Sequence, residues 1–337
     1  MESSRTLVAP GLRTVARLGW RDGLASAVSI VTGQPKLWLL GMIGFSLRGG
    51  ILLLLLPIIV LPTQVEVRLL LGHYLGSSGF TQSFFGLLVV LAAFAALLTV
   101  GALLILARIE LSSFERVIAD PEIAARTAYK PVHMETDARR RLYVRLFAVQ
   151  LLTLVALIAC AVPVASSVIQ ASYAEVTLPT SAAPIYERVL GTVGELLFFF
   201  LIALIVIEMI SSLTSRELLV RAFGWRERAS SRRLWLIPAI AAAVTYPFRS
   251  PFRSLGTSVV AWTLSAAVVI SSVWVLSVAW AAVRGAFLTS VSFSDVSEDA
   301  GMLLAALGLS TVFVLAICLT GFASALRAAL WSVDRLR

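Results

Sequence analysis

Phe84-Phe85-Gly86-Leu87-Leu88-Val89-Val90-Leu91-Ala92-Ala93-Phe94-Ala95-Ala96-Leu97-Leu98-Thr99-Val100-Gly101-Ala102-Leu103-Leu104-Ile105-Leu106-Ala107-Arg108 is the stretch that decides the fold. No residue from Phe84 to Ala107 carries a charge, so a helix wound from it is apolar all round. Crossing a hydrocarbon layer of about 30 Å takes about 20 such residues. Five further stretches read the same way. Candidate spans lie at about 38–61, 84–108, 142–169, 189–213, 256–283 and 301–325. Composition agrees: 14% of the 337 residues are charged and the mean hydropathy is +0.92, whereas soluble domains carry about 25% charged residues.

Basic residues alternate across these spans. Arg5, Arg13, Arg17, Arg21 and Lys36 precede the first, Arg108 to Arg145 separate the second from the third, and Arg216 to Arg253 separate the fourth from the fifth. Arg327, Arg335 and Arg337 follow the sixth, and the opposite loops hold only Arg68, Arg188 and Arg284. Positive charge stays on the cytoplasmic side, which predicts both termini inside and residence in the plasma membrane. The net charge of +9 is thus a topology signal and an attraction to anionic lipid headgroups. No aromatic residues interleave the basic ones as a nucleic-acid platform requires, so no nucleic-acid partner is expected. Lys occurs only at positions 36 and 130, an Arg bias that suggests a GC-rich, bacterial genome. The apolar core starts near Leu37, too late for a cleavable signal peptide.

The reading is an all-α polytopic bundle of six transmembrane helices, arranged as three hairpins, with interfacial helices on the cytoplasmic face. Residues 1–36 form a cytoplasmic segment with an amphipathic helix, 37–328 the membrane domain and 329–337 a cytoplasmic tail. Spans two and four end alike, in Ile109-Glu110-Leu111-Ser112-Ser113-Phe114 and Ile207-Glu208-Met209-Ile210-Ser211-Ser212-Leu213. Span six ends without the acid, at Ala325-Leu326-Arg327. In segment 12–31, Arg13, Arg17 and Arg21 make a polar stripe beside Leu12, Ala16, Trp20, Leu24 and Val28, which predicts a helix in the headgroup plane. Asp120-Pro121-Glu122 reads as a helix start, with Asp as N-cap, and that helix should run to Tyr129.

Residues 234–248 are apolar but short for a span, and predict an interfacial or re-entrant helix. The repeat Pro247-Phe248-Arg249-Ser250 and Pro251-Phe252-Arg253-Ser254 follows. Its prolines predict a hinge, with the Phe residues in lipid and Arg249 and Arg253 at headgroups.

Ionisable residues inside spans are the default functional candidates. Arg48 in span one and Glu208 in span four both lie in the inner half of the membrane, and the sequence allows them to pair. Span five, interrupted by Ser258, Thr263, Ser265, Ser271, Ser272 and Ser277, reads as the central helix of the bundle. Gly41, Gly44, Ser46, Gly49 and Gly50 suggest close helix packing in span one. Cys160 and Cys318 fall inside spans, and His73 and His133 fall on opposite sides, so neither a disulfide framework nor a metal site is expected. No nucleotide-binding loop, zinc-protease motif or nucleophile elbow occurs, and no cofactor is implied.

The Trp20 pre-helix, the entry Pro35-Lys36-Leu37-Trp38 and the three-hairpin layout resemble six-helix bacterial membrane proteins. Among these is the membrane domain attached to some glycerophosphodiester phosphodiesterases. The resemblance covers most of the chain and carries over no catalytic residue. The expected function is non-enzymatic: a membrane-embedded subunit or scaffold binding partner helices, lipid, or both, with a membrane protein or a second copy as partner. The alternatives are a transporter or permease subunit energised by another chain, and then a lipid-active enzyme.

Overall fold

A computed structural model of the chain describes residues 20–58, 75–76, 79–80, 82–126, 136–177, 185–223, 236–292 and 296–336. The elements in order are α1 (Trp20–Gly33), α2 (Pro35–Phe45), a wide turn at Ser46–Gly50, α3 (Ile51–Leu55), β1 (Leu75–Gly76) and β2 (Gly79–Phe80). Then come α4 (Gln82–Ile118), α5 (Pro121–Arg126), α6 (Thr136–Thr177), α7 (Ile185–Phe223), α8 (Leu236–Arg249), α9 (Pro251–Ser292) and α10 (Val296–Leu336). The two short strands form one antiparallel rung. The rest is an all-α polytopic bundle: six helical segments are long and apolar enough to cross a membrane, and Leu236–Arg249 is apolar but shorter.

The long helices overrun the spans read from sequence because nothing stops them where the apolar run ends. At 1.5 Å per residue, the 37 residues of α4 measure about 55 Å, well beyond a hydrocarbon layer of about 30 Å. The overrun is where the core sits. Leu111, Phe114, Val117 and Ile118 of α4 are fully or almost fully buried, together with Leu142 and Leu146 of α6, Leu218 and Leu219 of α7, and Ala329 and Val333 of α10. All belong to the arginine-rich end. Toward the other end α4 loses its neighbours: between Phe85 and Leu98 each of its large apolar side chains is 40% or more exposed. Water drives apolar surfaces together, whereas between helices in lipid that drive is missing. The main core at the arginine-rich end follows from this difference, and a smaller cluster of Leu54, Leu276 and Ala316 joins α3, α9 and α10 farther along the bundle.

α6 and α7 pack side by side, as do α9 and α10. Span one departs from the three-hairpin expectation, because α2 lies mainly against α10 and only slightly against α4. The helix that touches most others is α10, which meets α1, α2, α4, α7 and α9. The central helix is therefore span six, not span five as its hydroxyls suggested. In α9, Ser258 and Ser272 are buried while Thr263 and Ser271 face outward. The chain after residue 328 stays helical to Leu336, and Trp331, Ser332 and Asp334 are buried.

Close approach of α2 and α10 rests on two glycines. A Cβ on Gly41 would overlap the carbonyl oxygen of Gly321, and one on Gly321 would overlap the Met42 side chain. Trp38 packs edge-on against Phe322, with ring centroids 5.0 Å apart, and its indole N–H donates to the Val31 carbonyl at 2.6 Å. That bond fixes the elbow at Gln34, where Pro35 occupies the first turn of α2.

α1 confirms a helix before span one, with a different buried face. Residues 12–19, with Arg13 and Arg17, lie outside the described residues. Ala27, Ile30 and Val31 are buried against the core, Arg21 is exposed and Val28 is 37% exposed. Steps of four residues advance about 40° past a full turn each time, so a stripe of fours drifts round the helix. The buried stripe follows mixed steps of three and four instead. At α5 the backbone N–H of Ile123 donates to Asp120 Oδ1 at 3.3 Å, the N-cap expected from sequence.

Candidate functional site

Span one is broken beside its only charge. Gly49 has φ 85° and ψ 4°, the left-handed region that costs an L-residue about 1–2 kcal/mol. Arg48 stands one residue before the break, on the wide turn Ser46–Gly50. Gly44 faces Ile109 of α4, and Arg48 lies one turn farther from the arginine-rich end. Its side chain reaches back, and Nη2 donates to Glu110 Oε1 at 2.7 Å. Long cationic side chains reach toward polar surroundings in this way.

Glu110 is shared. Arg216 Nη2 lies 2.6 Å from its second oxygen, Oε2, and Arg216 Nη1 donates to its main-chain carbonyl at 3.4 Å. The Arg216 side chain is 3% exposed, Glu110 12% and Arg48 35%. Arg216 is thus the sealed member and Arg48 the outward one. Glu208 pairs with Arg327 at 2.6 Å. The sequence allowed Arg48 to pair with Glu208; the structure gives each a different partner. Glu110 and Glu208 occupy matching places at the ends of spans two and four, but Glu110 is on α4, which α2 faces at Gly44 and Ile109. Arg48 nonetheless stands close enough to Arg216 and Arg327 for mutual repulsion. Residues Gly44, Arg48, Glu110, Ser212, Arg216 and Arg327 are among those that line one small cavity of ≈ 30 Å³ between α2, α4, α7 and α10.

A second cluster joins α7, α8, α9 and α10 nearer the chain end. Glu217 pairs with Arg221 at 2.8 Å and also with Arg335. The Arg335 guanidinium lies over the Tyr246 ring, 4.4 Å from its centroid. The Tyr246 hydroxyl donates to Asp334 Oδ2 at 2.8 Å. Burial and the Asp334 carboxylate hold this phenol well above the usual tyrosine range, so it stays protonated. Arg253 Nε donates to Asp334 Oδ1 and its Nη2 to the Asp334 carbonyl, both at 2.8 Å. Asp334 is 3% exposed.

The second cluster adds to the Pro-Phe-Arg-Ser reading. Arg253 pairs with the buried Asp334 while its own side chain stays 34% exposed. The repeat has period four, but Ser250 separates α8 from α9, so the two arginines sit on different helices. Arg249 is exposed, and Phe248 and Phe252 are 83% and 94% exposed. The hinge itself stands where the prolines put it.

Sequence reasoning missed Arg216, Arg327, Glu217, Asp334 and Arg335. One signal was available for Arg327: it follows span six where that span lacks the acid of spans two and four, so Glu208 finds there the charge that complements it. Cys160 and Cys318 are free thiols on α6 and α10. No family model matches the chain, nor does any curated protein or solved structure.

Proposed function

We propose that the chain is a non-catalytic membrane subunit, clamped shut at its arginine-rich end and laterally open to a partner's helices at the other. The observation that carries this is the outer half of α4. From Phe85 to Leu98 its large apolar side chains are exposed all round the helix, with Leu97 at 70% and Val89 at 68%. In α7, Phe198 and Phe199 repeat the pattern at 59% and 58%. Apolar surface on every side of a helix suits burial among lipid chains or other membrane helices. The ion-pair clusters give the opposite end a rigidity that such a scaffold needs. For a permease reading, the charged site offers only ≈ 30 Å³, room for about two waters.

By the positive-inside rule the arginine-rich end faces the cytoplasm. α1 and α8 then lie at that surface, with Arg21, Arg249, Phe248 and Phe252 toward headgroups and acyl chains. Cysteines at Arg140 and Arg249 should resist an impermeant thiol reagent in intact cells, and cysteines in the loops carrying His73 and Ser297 should react.

The partner is tested by placing a photo-crosslinking amino acid at Phe94, Leu97 or Phe198 and irradiating native membranes. A discrete protein adduct from these positions, absent from a site in the core such as Leu146, supports the reading. Adducts with lipid alone, together with a purified protein that is a lone monomer in mild detergent, refute it.

A further inference from the structure

We infer that the cavity between α2, α4, α7 and α10 is a binding site for the phosphodiester of an anionic phospholipid, held by Arg48, Arg216 and Arg327. Among the described residues, the charges around this cavity do not balance without a ligand. Three guanidinium groups meet two carboxylates, Glu110 and Glu208, leaving one positive charge. In surroundings of low polarity, an uncompensated charge is costly. One phosphodiester monoanion neutralises it.

A second observation points the same way. Arg216 is 2% exposed and lines the cavity, and among the described residues its buried Nε–H has no partner. A buried donor left unmade costs about 1–3 kcal/mol, more when the group is charged. The cavity of ≈ 30 Å³ has room for about two water-sized groups, which matches the two free oxygens of a phosphodiester. Ser113, Ser212 and Ser324 bring hydroxyls to the same walls.

Depth and access fit a lipid. Glu110, Glu208 and Arg327 stand where the apolar runs of α4, α7 and α10 end, the level at which headgroups begin. Arg48 is 35% exposed, and among the described residues it bonds through Nη2 to Glu110, so Nε and Nη1 remain for an incoming oxygen. Arginine binds phosphate through just such paired donors.

The test uses the full chain, delipidated in a neutral maltoside detergent, with phosphatidylglycerol, phosphatidylcholine or inorganic phosphate added. Thermal unfolding and native mass spectrometry are read. Phosphatidylglycerol should raise the melting temperature more than phosphatidylcholine and remain bound at one per chain. Arg48→Gln should weaken this binding about tenfold, equivalent to about 1.4 kcal/mol, while Arg284→Gln, removing an exposed charge at the opposite end, should not. Inorganic phosphate matching phosphatidylglycerol would assign the site to a free anion and overturn the lipid. Equal binding by Arg48→Gln and the native chain would overturn the site. Should Arg48→Gln fail to fold, the native chain decides: no phosphatidylglycerol retained at one per chain overturns the proposal.

Discussion

Replacing Glu110 by Gln removes the shared acid of the first cluster while keeping its shape. Arg216, 3% exposed, then keeps its charge with no carboxylate at 2.6 Å. Breaking a buried pair from one side costs about 3–5 kcal/mol, because the partner is left as an orphaned charge. Arg48 contributes less to that figure, since at 35% exposure it can turn to water or headgroups. Glu110→Gln should therefore cost about 3–5 kcal/mol, and Arg216→Gln a similar amount. The double change should cost clearly less than their sum, because neither charge remains unpaired. The assay is a double-mutant cycle from thermal unfolding in detergent, with a parallel cycle for Arg48 and Glu208. The first cycle should show coupling of about 0.5–3 kcal/mol, and the second less, because Arg48 bonds to Glu110 and Glu208 to Arg327. Strict additivity between Glu110 and Arg216, or stronger coupling between Arg48 and Glu208, would refute the network as drawn.

Gly49→Ala should lower stability by about 1–2 kcal/mol through left-handed strain, whereas Gly101→Ala, with open space around it, should be neutral or slightly stabilising, both read by thermal unfolding. Gly321→Leu should separate α10 from α2 by steric overlap with Met42, lowering the melting temperature far more than Gly308→Leu, where nothing lies within 4 Å. Tyr246 has its phenol raised above the usual value by burial and Asp334. A raised value favours the protonated fold, so this contribution is intact below about pH 10 and declines as alkali deprotonates the phenol. Tyr246→Phe should lose about 1.5–3 kcal/mol at neutral pH, the worth of a hydrogen bond to a charged group, and should flatten the alkaline decline.

The sequence revealed the spans because an apolar run of the right length leaves few alternatives. It revealed the N-cap at Asp120 and the hinge at Pro247 and Pro251 because local backbone chemistry decides both. It could not assign partners to Arg48. Glu110 and Glu208 sit in similar local sequences, and choosing between them needs the angle at which α2 meets α4 and α10. That angle is set by Gly41 against Gly321, two positions remote in sequence. Hydroxyl content likewise misplaced the centre of the bundle: Ser265 and Ser277 of α9 bond to carbonyls of their own helix, at Ala261 and Trp274, rather than to a neighbour. Centrality went to α10, whose glycine and alanine face admits other backbones. The pair of Arg253 with Asp334 was not legible because the two lie 81 residues apart in sequence.

The splayed outer half of α4 is tested most directly by spin labels walked through residues 85–98 in the purified chain. The reconstitution uses a high excess of lipid. Collision with oxygen, which dissolves among acyl chains, reports whether lipid reaches each position. High accessibility at every position, with no periodicity, is the predicted result. A periodicity near 3.6 residues, with one face shielded at every dilution, would place another part of this chain against α4 and contradict the open end.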